Sequence, residues 1–374
     1  MKKTLFTLAS LSLISAAALA SPFTAGDIVV EQIGDTTTGA SSSAATPVYL
    51  DEYTSSGSLV EQIEMPTADS GSVHAFTNSG TASSEGLLTL SPDGQYLALA
   101  GYDAAPGTAS IASSSVSRTV GIVNAAGSVN TSTALTDTFL QGNNIRGAVT
   151  ADGNKIWVSG GVGGIDYTTL GYSTSTQLNS SDNNFDGINI VGGQLYGLSQ
   201  NNPVKGISTI GTGEPTTGSQ TISLLSNFSL DSHGLTFFLA DLNGATSPNT
   251  AYVADTSNGI EKWSLSGGNW SETNAIALSN CTGITASVSG NSVTLYVTTP
   301  GAIEKLTDSS GLGGSLTGTP SVIASIGNSS DEAFRGIAFA PVAVPEPATW
   351  GMMLGGLGSL LAYQFRRRRN TFKS

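Results

Sequence analysis

Six times along the chain a polar residue and a glycine open a short apolar segment. The openings are Glu85-Gly86-Leu87, Arg146-Gly147-Ala148, Asp186-Gly187-Ile188, His233-Gly234-Leu235, Thr282-Gly283-Ile284 and Arg335-Gly336-Ile337. Their glycines stand 61, 40, 47, 49 and 53 residues apart. Each of the first five is followed by a turn or loop and then a second strand-like segment. Ser91-Pro92-Asp93-Gly94 precedes Tyr96 to Ala100, and Ala151-Asp152-Gly153-Asn154 precedes Lys155 to Ser159. Gly193 stands before Gln194 to Leu198, and Gly290-Asn291 before Val293 to Thr298. Asp-Gly and Gly-Asn between alternating apolar runs are hairpin signals.

Such a period, with several short strands in each unit, is the pattern of a β-propeller. Glycine suits the inner strand of each unit, where backbones crowd the axis. The chain is therefore expected to be all-β, a six-bladed β-propeller. The sixth opening supplies one strand, Phe334 to Ala340. The N-terminal stretch supplies three more, at Asp27 to Ile33, Val48 to Tyr53 and Leu59 to Met65. N- and C-terminal strands would then close the ring together and remove a free sheet edge. A β-helix or β-sandwich with adhesin-like repeats is the rival architecture, and such folds usually carry shorter, more regular periods.

Composition agrees with β structure. Glycine is abundant, at 46 residues, and charged residues make up only 11% of the chain, so there is little material for exposed amphipathic helices. Cys281 is the only cysteine, so stability rests on core and sheet hydrogen bonds without a disulfide. It is expected to be a buried apolar filler. The segment Thr36 to Thr46, rich in Thr, Ser, Ala and Gly, reads as a surface loop.

The two ends read differently. Lys2-Lys3, the apolar run Leu5 to Ala17 and the small residues Ala18-Leu19-Ala20 form a signal peptide over residues 1–20, cleaved before Ser21. At the other end Val344-Pro345-Glu346-Pro347 precedes an uncharged run from Ala348 to Phe365, followed by Arg366, Arg367, Arg368 and Arg369. The run would cover roughly 27 Å as a helix, enough for one membrane span. The arginines would hold its end in the cytoplasm. A single transmembrane helix is thus expected at about 348–365, within a sorting segment 344–374 that follows an ectodomain 21–343.

That order of box, span and basic end resembles the PEP-CTERM sorting signal of Gram-negative bacteria, with Pro345, Glu346 and Pro347 as the motif and Arg366 to Arg369 as the basic end. The resemblance covers about thirty residues of the 374. It implies recognition by an exosortase-type membrane protease, in a species that makes extracellular polysaccharide. It also implies that the span anchors the chain transiently in the inner membrane and is then removed. The hairpin-rich segments Glu85 to Asp103 and Ile145 to Gly161 are loosely similar to exported bacterial propeller-like proteins without an assigned activity.

Charge narrows the choice of partners. Seven of the 14 basic residues and one of the 27 acidic residues lie in the two end segments, which leaves the ectodomain at a net charge of −19. Such a surface repels nucleic acid, so no nucleic-acid partner is expected. The expected partners are the Sec translocon, signal peptidase, the exosortase-type protease and extracellular polysaccharide.

If the repeat is real, the residues before its glycines share one register at a channel mouth: Glu85, Arg146, Asp186, His233, Thr282 and Arg335. Together they suit a small polar ligand, a sugar or an anionic group. Alternatively, Glu85 with Arg146 and Asp186 with Arg335 are structural ion pairs. Asp182, Asn184 and Asp186, followed by Gly187, match the first half of a calcium loop. Gly193 stands where the loop's bidentate Glu is needed, so no cofactor or metal is expected beyond this weak calcium candidate. Trp157, Trp263 and Trp270 are candidates for a sugar platform or for packing between blades.

His74 and His233 are the only histidines, and no nucleophile elbow or phosphate loop is present. The expectation is a non-enzymatic binding or structural component at the cell surface, outer membrane or extracellular matrix, with no catalytic residues. The alternative is a secreted polysaccharide-acting enzyme with its site around Asp186, His233 and Glu85.

Overall fold

The computed structural model describes residues 23–35, 39–328 and 330–343. Strands account for almost all of its regular structure, with short 3-10 turns at Ile111–Ser113 and Thr138–Leu140. The N-terminal part supplies β1 (Ile28–Ile33), β2 (Ala45–Tyr53), β3 (Leu59–Glu64) and β4 (Thr77–Ser79). Next come β5 (Thr89–Leu90), β6 (Tyr96–Tyr102), β7 (Arg118–Asn124) and β8 (Val129–Leu135). A four-stranded sheet follows from β9 (Ile145–Thr150), β10 (Lys155–Gly160), β11 (Ile165–Thr169) and β12 (Thr176–Gln177). A second holds β13 (Phe185–Val191), β14 (Gln194–Ser199), β15 (Gly206–Ile210) and β16 (Ile222–Leu224). The third is β17 (Gly234–Ala240), β18 (Thr250–Asp255), β19 (Gly259–Ser266) and β20 (Asn269–Ile276). The fourth is β21 (Gly283–Ser289), β22 (Ser292–Thr299), β23 (Ala302–Asp308) and β24 (Ser321–Ser325). Finally β25 (Ala333–Phe339) returns to pair antiparallel with β1, Ile28 opposite Phe339.

The architecture is propeller-like, but the expectation of six blades is overturned. Four discrete four-stranded blades are joined by one continuous nine-stranded sheet, in the order β25-β1-β2-β4-β6-β7-β8, with β3 beside β2 and β5 beside β6. The reason is local. β4 is only three residues long and pairs with β2 on one side and with β6 on the other, through Thr77 opposite Tyr102. That bridge fuses strands that the hairpin pattern had assigned to separate units. Among the described residues no helix is long and apolar enough to cross a membrane. The span expected at 348–365 lies outside the described residues, as do the signal peptide with Ala18, Ala20 and Ser21, the box Val344 to Pro347, and Arg366 to Arg369.

Strands β5, β9, β13, β17, β21 and β25 stand next to one another around the axis. The glycine repeat follows from this crowding. A Cβ on Gly187 would stand 2.8 Å from the Leu235 carbonyl oxygen on the next inner strand, and one on Gly283 would stand 2.8 Å from the Arg335 carbonyl. Outside the axis, the core is divided among clusters between neighbouring sheets. Ile156 and Val158 pack on Ala98 and Val120, and Trp157 and Ile165 pack with Phe185 and Leu195. Leu198 and Ile207 pack with Val253 and Trp263, Tyr252 and Ile260 with Leu295 and Val297. Ile28 and Phe334 pack with Tyr296 and Ile303, which carries the packing across the two ends of the chain. Each buried aliphatic side chain contributes about 1.5–3 kcal/mol, so these clusters hold the sheets face to face.

Candidate functional site

The six residues that precede the repeat glycines sit at or shortly before the starts of inner strands, Glu85 four residues ahead of β5, and five of them are buried: Glu85, Arg146, Asp186, Thr282 and Arg335. His233 is exposed. They form a polar belt whose members are held by internal partners. Arg146 Nη1 lies 2.8 Å from Asp186 Oδ1, an ion pair between the adjacent strands β9 and β13. Glu85 accepts hydrogen bonds from the Ser79 amide (2.7 Å), the Tyr102 hydroxyl (2.6 Å) and the Asn144 side-chain amide (2.6 Å). Arg335 donates to the carbonyls of Gly80 (3.0 Å) and Phe334 (3.3 Å). The hydroxyls of Thr282 and Thr298 both donate to the Arg335 carbonyl. Near His233, Thr256 Oγ1 lies 3.5 Å from Nδ1.

The expected pairs Glu85–Arg146 and Asp186–Arg335 do not form. β17 and β21 stand between β13 and β25, which keeps Arg335 from Asp186; Arg146 on β9 pairs with Asp186 on β13, while Glu85 is taken up by Ser79, Tyr102 and Asn144 and feels the charge of Arg335. Burial pushes the Asp186 carboxyl up to about 7, against the pull of Arg146. Burial likewise raises Glu85 to about 7, against its three hydrogen bonds and Arg335. Burial also lowers the His233 imidazole, helped by Arg146 and Lys205 and opposed by Asp255.

The belt has a member that the repeat did not reveal. Glu31, fully buried on β1, accepts a hydrogen bond from Asn78 (2.9 Å) and packs its carboxylate against Gly86. Burial raises it to about 8, while Asn78 and Arg335 pull the other way. Its signal in the sequence was an acid inside the otherwise largely apolar run Ile28–Ile33. Tyr102, Asn144 and Asn78 carried no comparable signal, because they reach the belt from other strands and loops.

None of the six belt residues lines the central channel cavity. That cavity, of about 280 Å³, is walled mainly by apolar side chains of the inner strands, among them Leu88, Leu90, Ile188, Ile190, Phe238 and Ile284. Arg335 borders a separate surface pocket with Gly80, Pro300 and Ala333. The belt and the channel are therefore distinct features, and the expected ligand set does not converge on one cavity. In the calcium candidate, Asp186 is engaged by Arg146, and Asn184 donates its side-chain amide to Asn201 at 3.2 Å. Asp182 is only partly buried at the start of that loop.

The tryptophans are packing residues. Trp157 is buried and donates its indole N–H to the Pro215 carbonyl at 2.7 Å. Trp263 stacks on Phe228 with centroids 4.3 Å apart, and Trp270 meets the same ring edge-on at 5.6 Å. A sugar platform needs exposed ring faces, and these are covered. Burial raises the Cys281 thiol to about 12, so it is held as an apolar filler.

At the C-terminal end, residues 343–369 match the PEP-CTERM protein-sorting motif. The chain carries a PEP-CTERM sorting motif. The motif implies processing by an exosortase, a membrane protease, and export with membrane anchoring followed by surface sorting. No curated protein matches the chain at a significant level. Among solved structures the chain is similar to one in a nidogen–laminin complex, at 13% identity and a TM-score of 0.49, over 84% of this chain and 98% of that one. It is also similar to a protein of Bacteroides uniformis provisionally named a 6-phosphogluconolactonase, at 14% identity and a TM-score of 0.43, over 79% and 82% of the two chains. A functionally unknown protein of Desulfotomaculum acetoxidans matches at 11% identity and a TM-score of 0.41, over 78% of each. Likenesses at this level carry no argument about function.

Proposed function

We propose that this protein is an exported, exosortase-sorted component of the cell surface or extracellular matrix that binds or scaffolds without catalysing a reaction. The sorting motif over residues 343–369 carries the reading. It is supported by the state of the polar belt. Arg146 and Asp186 tie the inner strands β9 and β13 together, and Glu85 is engaged by Tyr102 of β6 and by Asn144, so these charges have internal partners. The acidic ectodomain suits a hydrated, polyanion-excluding surface, and its partner is extracellular polysaccharide or another matrix component.

Mass spectrometry of the mature C-terminus tests the sorting step. The protein purified from cells with an active exosortase is expected to lack Arg366 to Arg369, and the same protein from cells without it to retain them. Retention in both would make the tail a plain anchor. Incubation with the host's own exopolysaccharide separates binding from turnover. Saturable binding without product supports a scaffold, whereas release of oligosaccharide would overturn the non-enzymatic reading.

A further inference from the structure

The nine-stranded sheet carries a group of metal-ligating side chains that lies apart from the polar belt. Asp69, His74 and Asp103 each turn one ligand atom inward, and the three atoms lie within 4.8 Å of one another. His74 Nδ1 stands 3.2 Å from Asp103 Oδ2. That nitrogen is shielded from solvent, yet it makes no well-aligned hydrogen bond. Two carboxylates and an imidazole nitrogen facing one space repel through their lone pairs unless a proton or a cation sits between them.

The backbone holds the three residues in place. Ser70 and Val73 exchange backbone hydrogen bonds of 2.9 and 3.0 Å, a tight turn that returns His74 toward Asp69. The His74 amide donates to Thr131, and the Thr131 hydroxyl donates back to the His74 carbonyl at 2.8 Å. One oxygen of Asp69 accepts the Ala75 amide at 2.9 Å, and its carboxyl also comes within hydrogen-bonding reach of Asp103. Asp103 follows directly after Tyr102, the residue through which β6 pairs with β4.

We propose that Asp69, His74 and Asp103 form a binding site for a divalent transition-metal ion of the zinc class, which clamps the segment leading into β4 onto the end of β6. The donor set chooses the metal. Calcium and magnesium take oxygen ligands, whereas zinc accepts an imidazole nitrogen together with carboxylate oxygens. Ligand atoms about 2.0–2.2 Å from a tetrahedral ion stand roughly 3.4 Å apart, close to the His74–Asp103 separation. Small side-chain rotations bring Asp69 to the same spacing. A dication also balances the two carboxylate charges. The site is open to water on the exposed side of Asp69, which leaves room for a fourth, solvent ligand. The site flanks the three-residue bridge that fuses the nine-stranded sheet, so an ion there would stabilise the weakest link in that sheet.

The test uses the full chain in detergent, stripped with a chelator and then titrated with zinc or with calcium. Wild type is expected to take up one zinc per chain by elemental analysis and to melt at a higher temperature with zinc, with no change in calcium. The variant H74Q is expected to lose at least about 100-fold in zinc affinity. D69N/D103N is expected to lose zinc uptake while keeping the melting temperature of the metal-free wild type, which shows that it folds. Unchanged zinc stoichiometry in D69N/D103N would overturn the assignment, because the ion would then bind elsewhere. So would absence of a zinc-induced shift in wild type, or calcium uptake that H74Q leaves intact.

Discussion

Arg335 offers the sharpest test of the polar belt, because it is buried on the strand that joins the two ends of the chain and its charge acts on two acids at once. Glu31 and Glu85 stand at about 8 and about 7, where burial has raised them and Arg335 restrains the rise. In the variant R335M this restraint is gone. Raised carboxyl values mean that the folded state holds protons which the unfolded chain releases. Stability is therefore fully present below the ordinary carboxylate range and is lost as pH rises through about 7 to 8. Without Arg335 the loss becomes deeper and extends to higher pH. At pH 5, where both acids hold their protons, the variant forfeits mainly the hydrogen bonds to the Gly80 and Phe334 carbonyls, about 1–2 kcal/mol. At pH 9 the two carboxylates must ionise without a buried cation, and the cost reaches about 3–5 kcal/mol. Urea unfolding of both proteins at pH 5, 7 and 9, followed by fluorescence of the buried tryptophans, measures the difference directly. A destabilisation that is the same at pH 5 and pH 9 would refute the electrostatic account and leave only packing.

Two further perturbations probe other parts of the fold. Asp166 is buried with neither oxygen hydrogen-bonded, and burial, aided by Asp137, raises it to about 8. D166N is expected to match wild type at pH 4 and to be more stable by about 2–4 kcal/mol above pH 8, because stability tied to this acid is lost as pH rises toward that value; equal urea midpoints at pH 8.5 would contradict this. G187A puts a methyl group 2.8 Å from the Leu235 carbonyl oxygen and is expected to cost about 1–3 kcal/mol by forcing β13 from β17. An unchanged melting temperature would show that the inner strands are not closely apposed.

Much of the local structure was legible along the chain. The Asp93-Gly94 and Asp152-Gly153 turns fall before β6 and β10, which begin at Tyr96 and Lys155 as their alternation implied. These features depend on two to eight consecutive residues, so a linear pattern contains them. The separation of blades was not legible, because β4 is too short to carry a period and acquires its role only by pairing with β2 and β6. The belt was half legible. The register picked out its members, but not Glu31, and not which acid each arginine would meet. The tryptophans were open to two readings, since an indole looks the same in a sequence whether its face is covered or bare; Phe228 covers Trp263 and Trp270.

The chain by itself determined its address and its strand-and-turn grammar. The sorting motif at residues 343–369 is read by contiguous residues, and hairpins follow from period-two alternation bounded by turn residues. Tertiary structure alone decided that four blades stand apart while nine strands share one sheet, and that Arg146 faces Asp186 rather than Glu85. It alone brought Asp69 and His74 to Asp103 across the β4–β6 seam. Ion pairs and metal-ligand distances depend on separations of a few ångströms between residues far apart in sequence, and only closure of the sheets around a common axis sets those separations.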